Sequence, residues 1–438
     1  MTAPHELTAS EATAAMREGR LTSVGLVRAC LDRIAAREPE IQAWTALDPE
    51  GALAEARAAD KVPSLRPLHG VPVGIKDVIE TADLPTAYGS PLYAGARPSL
   101  DARCVTLLRA GGAIVLGKTE TVEFAAAGRI PPTRNPHDLS RTPGGSSSGS
   151  AAVVADGMVP VALGTQTGGS TIRPASFTGL FALKPTFGVT PVDGVRHYAP
   201  SLDTVSWFAR SVADLDRAAD AFGLPSNPDG LGTLRIGVFR GPHWEEASND
   251  ARDLLDGAVK RLAGAGVSSC PIAFDEFDAL TTAQETIMYG EGTACFRPEA
   301  RRFGDRLHPL LRDIAYNVRG IGPEAMRNAY DLAARCRVAF ETRLQETCDA
   351  LLTLAAPGEA PDASVGTGDA RFNKMWSALG APCLAIPFGS GRNGLPIGLQ
   401  LVGARFSDRR LLAIGQVVSD RLGLRCPVPR VVQKGCLL

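Results

Sequence analysis

Between Val71 and Val189 the chain repeats one pattern: a short apolar run, a glycine-rich turn and a helical stretch. The runs VPVGI, AIVLG, VPVALG and GLFAL are too short for helices and are bounded by turn residues, so they read as strands in an α/β arrangement. Further runs of the same kind, LRIGVF near Leu234 and ALLTLAAP, APCLAIPFG and PIGLQLVG after Ala350, supply strands from the far end of the sequence. A sheet drawing on both ends of the chain does not divide into two domains. The expected fold is therefore a single-domain α/β/α sandwich around a large mixed, mostly parallel twisted sheet.

Within that domain, residues 1–62 read as a helical N-terminal cap, because Ala, Leu and Ile recur at three to four residue spacing through LTSVGLVRACLDRIAAREPEIQAW and ALAEARAAD. Residues 65–240 form the core that carries the chemistry. Residues 275–348 are rich in Arg, Glu and Ala with isolated aromatics such as Tyr289, Phe296 and Tyr330, and read as a helical insertion walling a substrate pocket. Residues 349–438 supply C-terminal strands and a helix that complete the sheet. No internal repeat, low-complexity segment or long heptad pattern interrupts this organisation.

Charge excludes one class of partner. The 438 residues carry 46 Lys and Arg against 47 Asp and Glu, a formal charge of −1, with no basic run to track phosphates, so nucleic acid is not expected as a ligand. No stretch approaches the roughly 18 apolar residues of a membrane span, and the N-terminus lacks the charged and apolar regions of a secretion signal. A cytoplasmic protein without membrane attachment is expected, and a homodimer is compatible with the sequence. Nine cysteines, from Cys30 to Cys436, are scattered without metal-binding spacing and read as free thiols.

Three motifs compete for the chemistry. GAIVLGKT at 112–119 matches the phosphate-loop pattern, but Ala113, Ile114, Val115 and Leu116 form an apolar strand whose amides would pair in a sheet instead of cradling a phosphate. GSSSG at 145–149 matches the nucleophile elbow of α/β-hydrolases, with Ser147 as nucleophile of an esterase. That reading needs an acid and then a histidine downstream. His197, His243 and His308 follow, none in a setting that marks a catalytic base.

The third candidate combines GVPVGIKD at 70–77, RTPGGSSSGSAA at 141–152 and GTQTGGSTIRPASFTGLFALKPT at 164–186. Together these resemble the amidase signature family. The similarity extends to LHGVPVGIKDVIETADLPTAYGS, SLDTVSWFARSVADL and GLPIGLQLVGARFSDRRLL, and thus over most of the chain. Ser146 and Ser170 lie 24 positions apart, as that family's pattern requires. The resemblance implies a Ser170, Ser146, Lys76 triad, a cis bond before Ser146, and no metal or organic cofactor.

The residues suit those roles. An amide carbonyl is a poor electrophile, so hydrolysis needs an activated nucleophile, oxyanion stabilisation and a proton for the departing amine. Ser170 is the expected nucleophile, and the amides of Thr167, Gly168 and Gly169 form the expected oxyanion hole. Lys76, one of only seven lysines, follows the apolar run VPVGI, where desolvation lowers an ammonium pKa and yields a neutral base. Ser146 would relay the proton between Lys76 and Ser170. The bland alternatives are a surface lysine paired with Asp77 and a flexible GGSSSGS linker.

Substrate choice rests on fewer residues. The common family form is GTDTGGS, whereas Gln166 replaces the Asp here and Arg173 sits three places after Ser170. This variant resembles the malonamidase-like branch, in which an Arg at that place grips a substrate carboxylate. Arg173 could equally order the loop by bonding backbone carbonyls. Arg173, Gln166 and Tyr198 are the candidate substrate-binding residues, with Trp207, Tyr289, Phe372 and Trp376 as further aromatics near a pocket or in the core. The expected activity is hydrolysis of a small-molecule amide, carbamate (a urethanase) or anilide, with a carboxylate-bearing monoamide among the candidates. The alternative is an amidotransferase A-type subunit that works within a complex.

Overall fold

The computed structural model describes residues 2–63, 66–226 and 230–429. Cys436 and the last nine positions of the segment 349–438 lie outside the described residues. The chain opens with helices α1 (Ala9–Arg17) and α2 (Ser23–Ile41), the latter capped by the Thr22 hydroxyl, which accepts the Gly25 N–H. Gln42 stops α2 in the left-handed conformation, and the chain turns into strand β1 (Trp44–Leu47) before α3 (Pro49–Ala59). The segment read as wholly helical thus contributes a sheet strand as well. Four residues are too few for their periodicity to separate them from a helix end.

The following elements are β2 (Pro72–Lys76), α4 (Arg103–Ala110), β3 (Ile114–Thr119), α5 (Ser148–Ala155), β4 (Val161–Gln166), α6 (Ile172–Thr178), β5 (Phe181–Lys184), β6 (Thr204–Ala209) and α7 (Val212–Ala221). The second half holds β7 (Arg235–Val238), α8 (Asn249–Gly264), β8 (Ser268–Pro271), α9 (Leu280–Phe303), α10 (Pro309–Ala315), α11 (Pro323–Thr347), β9 (Ala350–Leu354), α12 (Arg371–Leu379), β10 (Cys383–Ser390), β11 (Pro396–Val402) and α13 (Asp408–Leu422). The eleven strands of the described residues join one sheet in the order β1-β3-β2-β4-β6-β5-β10-β11-β9-β7-β8.

Both faces of the sheet are covered. Strand residues alternate between two cores: Val73, Ile75, Val161, Leu163 and Trp207 join residues of α4, α7, α8 and α13, while Ala162, Ala182 and Phe208 join residues of α2, α5, α6, α11 and α12. This is the period of two that a strand imposes on a two-sided core. The single-domain α/β/α sandwich with a large mixed sheet is therefore the fold.

The expectation of a mostly parallel sheet is corrected. Only β2–β3, β2–β4, β7–β8 and β7–β9 run parallel, and the other six pairings are antiparallel. A parallel neighbour needs a crossover element, such as α4 between β2 and β3 or α8 between β7 and β8. β10 and β11 are instead joined by a short turn, and β5 reaches β6 without an α-helix, so both connections return antiparallel. No helix of the described residues is long and apolar enough to cross a membrane. The eight described cysteines are free.

Candidate active site

The site is assembled beyond the C-terminal ends of the parallel neighbours β2 and β4, the edge at which open α/β sheets present their ligand-binding residues. Lys76, the last residue of β2, is fully buried. Its Nζ lies 2.7 Å from Ser146 Oγ and 2.7 Å from Thr165 Oγ1. Burial holds its pKa well below the ordinary lysine value, opposed only by the more distant charge of Asp203.

The other buried lysines provide a contrast. Lys118 stands 3.5 Å from the Asp77 carboxylate and donates to Ile79 O and Thr86 Oγ1, and burial brings its pKa down to about 8. Lys184 donates to Pro185 O. Of the three, Lys76 is the one whose partners among the described residues are all hydroxyls, groups a neutral amine can both donate to and accept from, whereas Lys118 adds a carbonyl and a carboxylate to its one hydroxyl. Asp77 belongs to Lys118, so the reading of Lys76 as a surface lysine paired with its neighbour fails. Lys118 also lies on β3, where Ile114–Thr119 of that motif pair as a strand, which removes the phosphate-loop reading.

Gly144 to Ser148 form a packed turn and no linker. The Gly145–Ser146 peptide bond is cis, Ser148 Oγ donates to Gly144 O at 2.7 Å, and α5 follows entirely buried. Ser146 is buried against Lys76. Ser147 Oγ donates to Thr165 O and accepts the Thr165 N–H, so the proposed elbow nucleophile is a strand-to-turn tie. The histidines are engaged elsewhere: His197 with Asp203, His243 with Thr281, and His308 at the start of α10. The α/β-hydrolase reading has neither nucleophile nor base here.

Thr167 to Ser170 cross from β4 to α6 and line a cavity of about 310 Å³. Ser170 is partly exposed there and its hydroxyl carries no hydrogen bond among the described residues. The structure thus brings Lys76 and Ser146 into contact and sets Ser170 in the cavity wall without a bond to either. The N–H groups of Gly168, Gly169 and Ser170 likewise meet no acceptor among the described residues, leaving a cluster of unused donors beside Ser170. Asp203 braces this turn: its Oδ1 accepts the Thr167 hydroxyl at 2.5 Å and its Oδ2 accepts the N–H groups of Tyr198 and Ala199.

The cavity is walled mainly by apolar side chains, including Ala125 to Ala127, Met288, Tyr289, Ile314 and Val318, the last four from the helical region at 275–348 and the turn after α10. Its cations are engaged. Lys374 pairs with Glu285, and the Arg319 guanidinium lies 3.6 Å from the centre of the Tyr289 ring.

Of the candidate substrate residues, Tyr198 lines the cavity, 5% exposed, with its ring edge against Tyr289. Arg173 also reaches the lining but spends its guanidinium on Gly145 O, Gly368 O and Thr367 Oγ1. Burial brings its pKa down to about 10. Gln166 does not line the cavity. Its Oε1 accepts the N–H groups of Thr171 and Ile172, capping α6, so the expectation that it binds substrate is corrected: the first turn of a helix offers free donors and the nearest carboxamide takes them. Trp207, Phe372 and Trp376 are core residues, while Tyr289 is a cavity wall. Sequence reasoning missed Thr165, Asp203, Gln284 and Ser377. Only the Asp of SLDT offered a local signal.

Known proteins agree on the frame. The family model described as Amidase matches residues 25–412. The A-type subunit of the glutamyl-tRNA(Gln) amidotransferase of Oleidesulfovibrio alaskensis is 35% identical, covering 97% of this chain and 99% of its own length. Among solved structures, a chain from work on a vestigial protein complex and the origins of an s-triazine catabolic enzyme superposes with a TM-score of 0.87 at 28% identity, covering 96% of this chain and 99% of its own. The native peptide amidase of Stenotrophomonas maltophilia superposes with a TM-score of 0.84 at 29% identity, covering 97% and 98%.

Proposed function

The chain belongs to the amidase family, and from that premise we propose that it hydrolyses the C–N bond of a small, neutral amide or amide-like substrate through an acyl-enzyme on Ser170. The observation that carries this reading is the buried Lys76 amine, whose partners among the described residues are two hydroxyls, Ser146 and Thr165. A neutral amine in that place accepts the Ser146 proton as Ser146 accepts the Ser170 proton. Ser170 Oγ then bonds to the substrate carbonyl carbon, and the carbonyl oxygen takes the electron pair as an oxyanion facing the amides of Thr167, Gly168 and Gly169. The proton returns along the same path to the nitrogen as the C–N bond breaks. Water repeats the sequence on the acyl-enzyme, releasing the acid.

Cavity chemistry narrows the substrate. The walls are mainly apolar, with Asp313, Arg319 and Lys374 as charged members, and Arg173 bonds to two backbone carbonyls, so it acts in this reading as a brace of the Gly145 and Gly368 turns. A neutral aryl or alkyl group fits such walls better than the free carboxylate that the malonamidase-like branch accepts. An aryl carbamate or ester presents the same carbonyl and is a substrate of the same site.

A second reading is favoured by the relatives: an amidotransferase A-type subunit, as the 35% identical protein is named. That alignment runs over 483 positions, more than the 438 residues here, so the relative carries segments this chain lacks. Glutamine also brings an α-ammonium and an α-carboxylate, and Asp313, Arg319 and Lys374 are the charged lining groups available to meet them.

The test is hydrolysis by the wild-type chain and Ser170→Ala of four compounds: a neutral aryl amide, an aryl carbamate, a dicarboxylate monoamide and glutamine. Turnover of the aryl compounds by wild type alone supports the hydrolase. Preference for the monoamide returns Arg173 to a carboxylate clamp. Turnover of glutamine alone, or none at all, selects the amidotransferase reading.

A further inference from the structure

The two peptide carbonyls of the glycine turn are each held from behind by a buried side chain. Gln284, on α9, donates through Nε2 to Thr167 O at 3.1 Å. Ser377, on α12, donates through Oγ to Gly168 O at 2.9 Å. Both side chains are buried and neither lines the cavity. In a planar trans peptide the C=O and the following N–H point in opposite directions. Holding Thr167 O therefore aims the Gly168 N–H away from Gln284, and holding Gly168 O aims the Gly169 N–H away from Ser377. These two N–H groups have no acceptor among the described residues, and both glycines line the cavity.

A serine hydroxyl can donate in only one direction, and Gln166 determines which. Its Oε1 is taken by the Thr171 and Ile172 N–H groups at 3.0 and 3.1 Å, so its other atom, Nε2, is the one that faces Ser377 Oγ at 3.3 Å. Because Nε2 can only donate, Ser377 Oγ accepts there and its own proton is left for Gly168 O. A glutamate at 166 has the same reach, would still accept the Thr171 and Ile172 N–H groups, and would draw the Ser377 proton to itself.

We infer that Gln284 and Ser377 are positioning residues that aim the Gly168 and Gly169 amides at the oxyanion, with Gln166 setting the direction of the Ser377 hydroxyl. This rests on the reading of Ser170 as the nucleophile of an amide hydrolysis. Preorganised donors lower the barrier because they need no reorientation as charge develops, so loosening them costs turnover and leaves ground-state binding intact.

The experiment compares wild type, Ser377→Ala, Ser377→Thr, Gln166→Glu and Gln284→Leu on the neutral aryl amide, with an aryl boronic acid as a probe that forms a tetrahedral adduct on Ser170. Ser377→Ala, Gln166→Glu and Gln284→Leu are expected to lose roughly tenfold to a hundredfold in kcat with KM within about twofold, and to lose boronate affinity in the same order. Ser377→Thr keeps the hydroxyl and restores both. Wild-type kcat and boronate affinity in Ser377→Ala overturn the inference, as does a loss that Ser377→Thr shares. If the wild-type chain shows no turnover that Ser170→Ala abolishes and no boronate binding, the hydrolase reading itself falls and the inference with it.

Discussion

Thr165 Oγ1 and Lys76 Nζ lie 2.7 Å apart across the neighbouring parallel strands β4 and β2, so the sheet itself fixes where the buried amine points. Thr165→Val preserves the shape of that strand and removes the hydroxyl. A loss of about tenfold in kcat, with KM unchanged, is expected from one lost hydrogen bond to a polar group in a buried site. Steady-state kinetics on the aryl amide provide the check.

Lys76 must be neutral to act as base, and burial lowers its pKa. The acid limb of kcat/KM should therefore rise with pH and level off well below 10.5. Asp203 is the charge that raises this pKa, so Asp203→Asn is expected to move the limb to lower pH whatever it does to the absolute rate. An unmoved limb would remove Lys76 as the titrating base.

The same shift couples to stability. Between the lowered native pKa and 10.5 the unfolded chain binds the proton that native Lys76 has released, so this residue makes the fold more stable as pH rises through that window. Urea unfolding of wild type and Lys76→Met at several pH values isolates the contribution. The difference between the two proteins should change in favour of wild type with increasing pH.

Arg173 holds Gly145 O and Gly368 O from a buried position, and removing a buried charged donor leaves both carbonyls unpaired. Arg173→Met should cost about 3 kcal/mol of stability. It should depress turnover of neutral amide and dicarboxylate monoamide by the same factor. A selective loss on the monoamide would make the guanidinium a substrate contact.

The two glycines of the turn differ in their room. A Cβ on Gly168 would meet nothing closer than 3.6 Å, whereas on Gly169 it would meet Ala370 Cβ at 3.0 Å and Asn373 Cβ at 3.1 Å. Gly168→Ala is expected to keep wild-type thermal stability. Gly169→Ala should lose about 1–3 kcal/mol through overpacking against α12, read as a lower melting temperature.

What could be read in the sequence was what is written locally. VPVGI ahead of Lys76 marks a buried strand end, and the glycines around Ser146 and Ser170 mark tight turns. The contacts that orient these residues join distant positions: Gln284 reaches Thr167 across 117 residues and Ser377 reaches Gly168 across 209, and no window of sequence contains both ends. Strand β6, TVSWFA, also escaped notice as a strand because Ser206 is buried as a polar residue within it. The excess of antiparallel pairings followed from connection lengths, which show only once strand neighbours are known.

Strands β10 and β11 come late in the chain yet sit between β5 and β9 in the sheet. During synthesis, β5 must therefore emerge from the ribosome and wait for more than half of the remaining polypeptide before its outer neighbour exists. A nascent chain in that interval exposes an unpaired hydrophobic edge of the kind that recruits other chains. Chaperone demand during production, and poor tolerance of C-terminal truncation before Val402, are consequences of that strand order and are independent of the chemistry at Ser170.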